Sequence, residues 1–327
     1  MAQTQTRNPF ARIGFTERGD GGLDLSWVKK VEKGEVDGAI IVTKNLTDKL
    51  TRELLRLNAA GYKVGLHLSC TGWGGTWLEP NVPACEGQLD RLARLIEAGF
   101  PARRTVLRID PIIPTDEGLA AVRRVLDAAQ GTQLRTRAIK VRSREDGHVV
   151  SEIHPRANLL WYEVPGADGV SLRQTLRVRF SVFDQYRHVE RRLAKLGKQP
   201  FYDAGRFQAN HDEMLALVRF FDQNLPHLDG VSFCVETCAE PRMREVYDEF
   251  ARTRYAGDDA NFVVIGRGCL SRADFDALGI DASLAAPSVN GQNRGGCLCL
   301  TNKCELLSAR RQCPHKCVYC YWRDDAR

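Results

Sequence analysis

The residue types best suited to chemistry stand together near the C-terminal end, in Cys313-Pro314-His315-Lys316-Cys317-Val318-Tyr319-Cys320. Three thiolates spaced Cys-x3-Cys-x2-Cys on a tight loop can hold three irons of a 4Fe–4S cube and leave the fourth iron without a protein ligand. The amino and carboxylate groups of S-adenosylmethionine can chelate that open iron. An electron from the cluster then cleaves the sulfonium bond and yields a 5′-deoxyadenosyl radical. Tyr319, the aromatic before the last cysteine, suits a residue packing near the adenine. The alternative is a zinc knot, which favours paired Cys-x2-Cys units and four closed ligands. Only Cys317 and Cys320 have that spacing.

These thiols belong to a larger set. The chain has 11 cysteines, and six of them fall between Cys297 and Arg327. The N-terminus, Met1-Ala2-Gln3-Thr4-Gln5-Thr6-Arg7-Asn8, carries no apolar signal-peptide stretch, and nowhere do about 18 apolar residues run together as a membrane span needs. The expectation is therefore a soluble, cytoplasmic chain whose clustered cysteines stay reduced and serve metal or redox chemistry.

The elements that must position the loop read as an α/β alternation. Strands are expected at Gly38–Asn45, Lys63–Cys70, Thr105–Ile113, Arg177–Phe183, Gly230–Cys238 and Asn261–Gly266, with a further strand, Arg12–Thr16, opening the series. Amphipathic helices are expected at Asp48–Ala59, about Gly87–Ala98, Gly118–Ala129, Arg187–Leu196, Ala209–Asn224 and Pro241–Ala251. Such βαβ units imply a parallel sheet, and the fold expected is a partial or full parallel β/α barrel over residues 10–290. Residues 291–327 form the C-terminal cysteine-rich segment.

One stretch, about 137–175, breaks the rhythm. Arg135–Arg142 and His148–His154 flank Ser143-Arg144-Glu145-Asp146-Gly147, whose Asp-Gly pair marks a hairpin turn, and Ala157–Gln174 has no helical period. It reads as an insertion in the barrel. Leu134 to Lys198 holds 14 Lys/Arg against 7 Asp/Glu, so the rest of this +6 chain sums to −1. Basic residues with Trp161-Tyr162 among them suit single-stranded nucleic acid, whose backbone attracts cations and whose bases stack on aromatics. A solvated basic face, or a lid that packs Trp161 on the body, would leave the same pattern.

Polar residues at C-terminal strand ends mark the active-site mouth of a parallel barrel. Alternation puts Ser232, Cys234, Glu236 and Cys238 on one face of their strand, and Val106, Arg108 and Asp110 on one face of theirs. Arg108 suits the carboxylate of S-adenosylmethionine, because a guanidinium fork matches a carboxylate. Glu236 or Asp110 suits its amino group or ribose hydroxyls. Lys44, His67 and Asp184 lie at other expected strand ends and are candidates for the substrate side. A buried structural network would also gather polar groups there.

The loop resembles that of the radical S-adenosylmethionine (radical SAM) superfamily. Its C-terminal position is similar to that in a radical SAM-like family of bacterial and phage proteins long carried as a domain of unknown function. The likeness runs from about Phe15 to Tyr321, apart from the insertion, through Thr43-Lys44-Asn45, Glu79-Pro80-Asn81-Val82-Pro83, Arg108-Ile109-Asp110-Pro111-Ile112-Ile113, Ser181, Asp184-Gln185-Tyr186 and Glu236-Thr237-Cys238-Ala239-Glu240. Cys269 and Cys297-Leu298-Cys299 belong to it too. Where that family has Ser-Arg-Arg-Thr-Asp after its first strand, this chain reads Thr16-Glu17-Arg18-Gly19-Asp20; the insertion and Cys304 are also extra. The resemblance implies a 4Fe–4S cluster on Cys313, Cys317 and Cys320. Cys238, Cys269, Cys297 and Cys299 are the cysteines that the resemblance carries outside the loop; four thiolates can close a shell around a second cluster or a zinc, and a set of buried reduced thiols would leave the same residues.

The Ala/Arg-rich composition and basic insertion suggest a narrower resemblance, to the radical SAM isomerases of phage thymidine hypermodification; it implies an isomerase, or else a lyase, that rearranges an amino-acid-substituted thymine in DNA, with a flavodoxin or ferredoxin as reductant. The alternatives are a radical SAM enzyme acting on a small metabolite or peptide, and a non-catalytic, metal-stabilised nucleic-acid-binding module.

Overall fold

The computed structural model describes residues 9–134, 157–166, 169–203, 205–238, 240–256, 259–288, 297–307 and 313–323, with the backbone of 141–142 and 149–150. Strands β1 (Ile13–Phe15), β2 (Gly38–Thr43), β3 (Val64–Ser69) and β4 (Thr105–Ile112) alternate with helices α1 (Trp27–Glu32), α2 (Asp48–Ala59), α3 (Cys85–Glu97) and α4 (Asp116–Gly131). Two antiparallel pairs follow, β5 (Val141–Arg142) with β6 (Val149–Val150) and β7 (Trp161–Gly166) with β8 (Gly169–Gln174). The alternation then resumes with β9 (Arg177–Val182), α5 (Arg187–Lys195), α6 (His211–Asn224), β10 (Phe233–Thr237), α7 (Pro241–Arg254), β11 (Phe262–Gly266), α8 (Arg272–Leu278) and β12 (Lys303–Glu305).

Eight strands form one parallel sheet in the order β11-β10-β9-β4-β3-β2-β1-β12. The two end strands, β11 and β12, are not paired with each other, so the barrel is not closed. The cysteine-rich segment is not appended to this body: it contributes β12, which pairs parallel with β1.

Apolar residues at alternate positions explain the layers. Leu66 and Leu68, Leu107 and Ile109, and Val178 and Phe180 face the helices, where Leu50, Leu54 and Leu57 of α2 and Leu89, Leu92 and Ile96 of α3 cover them in one core. A second, smaller core joins Ile13, Phe15 and Ile40 to Phe275, Leu278 and Ile280 in and just after α8. Helix starts carry the expected signals. Thr47 and Thr115 cap α2 and α4 by accepting from Leu50 N–H and Gly118 N–H, and Asn210 with Glu213 makes a capping box on α6.

Sheet register lines up Ser69, Arg108, Arg179 and Glu236 across four neighbouring strands on the other face. Between Ile109 and Ile112 the β4–β9 register shifts by a residue, a bulge that re-aims the backbone at Asp110 and Pro111.

The inserted stretch carries antiparallel pairs, as its lack of helical period implies. Its expected turn, 143–147, lies outside the described residues. Trp161 and Tyr162 are half-buried and pack against the main core, which favours the packed lid over an exposed stacking pair. Part of the basic surplus is internal as well: Arg179 and Arg192 are buried, with protein partners. Among the described residues no helix is long and apolar enough to cross a membrane.

Candidate functional site

The C-terminal ends of β2, β3, β4 and β9 open into a cavity of about 610 Å³. Lys44, Ser69, Arg108, Asp110, Ser181 and Asp184 line it from the sheet side. Cys313, Cys317, Tyr319 and Cys320 line it from the cysteine loop. The loop and the strand ends, remote from one another in sequence, thus face one another across one space.

The loop is held there by five sets of contacts. Asn81 Nδ2 donates to the Pro314 carbonyl at 2.7 Å, and Val318 N–H donates to the Leu78 carbonyl at 2.9 Å. Arg192, from α5, donates to the carbonyls of Val318, Cys320 and Arg323 at 2.9, 2.7 and 2.6 Å. Tyr319 Oη donates to Glu79. His315 Nδ1 lies 3.0 Å from the Asn81 carbonyl and Nε2 2.8 Å from Asp20 Oδ2. A carbonyl only accepts, so Nδ1 carries hydrogen, and a carboxylate at Nε2 favours a second proton. Burial opposes that charge, but Asp20 outweighs it and raises the His315 pKa. Asp20 is itself fixed by Gly22 N–H and Lys44 N–H at 2.8 Å each and by Thr43 Oγ1 at 2.5 Å.

Two charge pairs set the electrostatics of the cavity. Lys44 Nζ sits 2.8 Å from Glu79 Oε1 and 5.4 Å from the Tyr319 ring centroid. Burial works against both charges of this pair, yet each partner's field prevails: the Lys44 pKa is raised and the Glu79 pKa lowered. Thr71 Oγ1 donates to the other Glu79 oxygen at 2.7 Å. Arg108 pairs with Asp110, which also accepts from Ser181 Oγ. Burial would raise the Asp110 pKa, but Arg108, Ser181 and Lys44 together more than offset it and the carboxylate is held ionised. The Cys313 and Cys317 thiols are pushed up to about 11 and about 12, first by burial.

Five of the seven candidates on the strands and the loop therefore line the cavity: Lys44, Arg108, Asp110, Asp184 and Tyr319. His67 and Glu236 do not. His67 is two residues before Ser69 on the same strand face, 2% exposed, with Nε2 3.7 Å from Asp274 of α8; burial pushes its pKa down to about 3. Glu236 accepts from Arg177 at 2.9 Å and Arg179 at 2.9 Å, and Asp274 takes further bonds from the same two arginines. This is the buried structural network that strand-end polarity also allowed. Glu17, Arg18, Asp20, Tyr186, His315, Tyr321 and Trp322 also line the cavity. His315 had a legible signal, since it stands inside the loop motif, and Tyr186, with Glu17, Arg18 and Asp20, stood in segments set against the resembled family without being singled out; Trp322 had none beyond lying close to the loop.

The remaining cysteines gather elsewhere. The sulfurs of Cys238, Cys269 and Cys299 all lie within 4.8 Å of one another and could hold a metal. Cys238 Sγ is 3.0 Å from Cys269 Sγ, and Cys269 N–H donates to Cys299 Sγ at 3.1 Å. Hydrogen bonds from Cys238 and then Cys269 lower the Cys299 pKa to about 6, and a bond with Cys299 lowers that of Cys297 to about 6.

No family model and no curated protein matches the chain. Among solved structures, the chain has a likeness to orotidine 5′-phosphate decarboxylase from Lactobacillus acidophilus, at 10% identity and a TM-score of 0.33, over 83% of this chain and 97% of that one.

Proposed function

We propose that the chain is a radical SAM enzyme whose cluster is held by Cys313, Cys317 and Cys320. The observation that carries this reading is that the three loop cysteines form a wall of the same cavity whose opposite side presents Arg108, Asp110 and Lys44. The donor set fits the group. Three soft thiols without a fourth cysteine in the loop suit a site-differentiated cluster. A volume near 610 Å³ is within the usual range for a cofactor and small-substrate site. When bound, the cluster would supply the electron that opens S-adenosylmethionine to a 5′-deoxyadenosyl radical.

The chain's own groups then have definite work. Arg108 offers a guanidinium to a carboxylate, while Asp110, kept ionised, offers an acceptor to an ammonium or ribose hydroxyl. Tyr319, whose ring lies beneath Lys44 and whose hydroxyl is tied to Glu79, presents a fixed aromatic face for an adenine. Glu79 neutralises Lys44 within the cavity wall. Asp184, which lines the same cavity, would serve the substrate side.

The substrate we favour is an amino-acid-substituted thymine in DNA, with isomerisation as the outcome: hydrogen leaves the amino-acid α-carbon, the link to the base migrates from nitrogen to carbon, and hydrogen returns. An aromatic rim supports a nucleobase. Tyr321 is 54% exposed, Tyr186 lies 5.1 Å from it, and Arg18 stands 5.3 Å over Trp322. Such a rim can stack a base drawn out of the duplex, a step that costs a few kcal/mol. The test is incubation of reduced, cluster-loaded protein and S-adenosylmethionine with an oligonucleotide bearing the substituted thymine. The reading expects a product of unchanged mass and altered chromatographic retention, lost on Cys317→Ala. Conversion of free nucleosides or peptides but not of the oligonucleotide would replace it by the metabolite reading.

A further inference from the structure

The tightest group of metal-ligating side chains among the described residues is not in the cavity. It lies at the open seam of the sheet. Cys238 follows the last residue of β10, Cys269 stands three residues after β11, and Cys299 stands four residues before β12. β11 and β12 are the two unpaired edges of the sheet, so these sulfurs join the chain leaving one free edge to the chain approaching the other.

We propose that Cys238, Cys269 and Cys299, with Cys297 as fourth ligand, bind a single thiophilic divalent ion that clasps this seam. Four sulfurs at about 2.3 Å from one tetrahedral ion stand about 3.8 Å apart. The three sulfurs already lie within 4.8 Å of one another, a spacing for one ion rather than for a cube of irons. Cys297, two residues from Cys299, is hydrogen-bonded to its side chain and stands next to the three-sulfur group as the nearest further thiol in sequence. The backbone is shaped for the approach as well. Gly268 has φ +105°, and a Cβ there would come within 2.7 Å of Cys299 N, so the 297–299 segment reaches Cys269 only because position 268 has no side chain. Cys269 N–H pointing at Cys299 Sγ stabilises a thiolate there. Lys303, which opens β12, lies 2.5 Å from Glu17 after β1 and supplies positive charge beside Cys269 and Cys299. Binding replaces thiol protons by the ion and changes no oxidation state.

This site does not rest on the function proposed above, and its test removes the other loop. A full-length chain carrying Cys313→Ala, Cys317→Ala and Cys320→Ala is purified without oxygen and loaded with zinc or cobalt. The proposal expects one ion per chain, tetrahedral thiolate–cobalt absorption, and at least a tenfold loss of affinity on adding Cys299→Ala or Gly268→Ala. Absence of a stoichiometric ion overturns it, and so does recovery of four irons with sulfide, which would make the site a cluster. Because the triple variant can fail to fold, the wild-type chain loaded with zinc is also alkylated and mapped. Cys238, Cys269, Cys297 and Cys299 should be protected by zinc while Cys234 and Cys304 react as before; labelling of the first four that ignores zinc refutes the clasp.

Discussion

Glu79→Gln is the sharpest perturbation of the loop's seat. Glu79 is 1% exposed at its side chain and accepts from three groups at once: Lys44, Thr71 and Tyr319. Removing its charge leaves the Lys44 ammonium, 17% exposed, facing a neutral amide. Breaking a buried pair by removing one partner typically costs about 3–5 kcal/mol. The partial exposure of Lys44 and the oxygen that glutamine retains put the expected loss near the lower figure, about 3 kcal/mol. For a chain of this size that corresponds to a fall in melting temperature of about 4 °C. Lys44→Met should cost a similar amount, because it strands the carboxylate instead. The double variant Lys44→Met/Glu79→Gln should be less damaged than the sum of the two by about 2–3 kcal/mol. The assay is chemical denaturation of all four chains, followed by tryptophan fluorescence. A Glu79→Gln loss below about 1 kcal/mol, or strict additivity in the double variant, would refute the idea that this pair is a charged, mutually dependent unit.

Two further outcomes follow from named contacts. Arg192→Met removes a guanidinium that satisfies three loop carbonyls, each charged hydrogen bond worth about 1.5–3 kcal/mol, so it should destabilise by at least about 3 kcal/mol and lower iron retention by the loop, with Arg192→Lys intermediate; equal iron retention in all three chains would contradict the anchoring role. His67, with its folded pKa pushed down to about 3 from an ordinary 6.5, stays neutral in the fold while the unfolded chain binds its proton. Stability should therefore fall as pH drops from about 6.5 towards 3, this residue contributing a slope of up to about 1.4 kcal/mol per pH unit, and His67→Gln should flatten it in urea titrations across that window; parallel curves for the two chains would count against it.

Much of the architecture was legible because its signals are local. Short apolar runs such as Gly38–Thr43 and Val64–Ser69, alternating with amphipathic stretches such as Asp48–Ala59, dictate parallel strands and covering helices whatever their neighbours are. β12 was not legible, because Lys303-Cys304-Glu305 has no apolar pattern and is a strand only through backbone pairing with β1. α8 is only seven residues long and escaped for a similar reason. The cysteine spacing gave the loop, but its seat depends on Asp20, Asn81 and Arg192, which are remote from it in sequence. Strand-end position singled out His67, and alternation Glu236, without fixing where along and across the sheet each side chain falls. His67 lies two residues before Ser69, whereas Glu236 is level with Ser69 and Arg108 but on a strand that does not line the cavity, opposite Arg179, where it neutralises an arginine rather than meeting a ligand.

The central claim is that Cys313, Cys317 and Cys320 hold a cluster with an open iron facing the cavity. Its most direct test is 5′-deoxyadenosine release from S-adenosylmethionine by the anaerobically reconstituted, dithionite-reduced chain, quantified by mass spectrometry against Cys317→Ala. The account predicts 5′-deoxyadenosine from the wild-type chain and none above background from the variant. A wild-type chain whose loop takes up zinc but no iron, and which releases no 5′-deoxyadenosine, would contradict it.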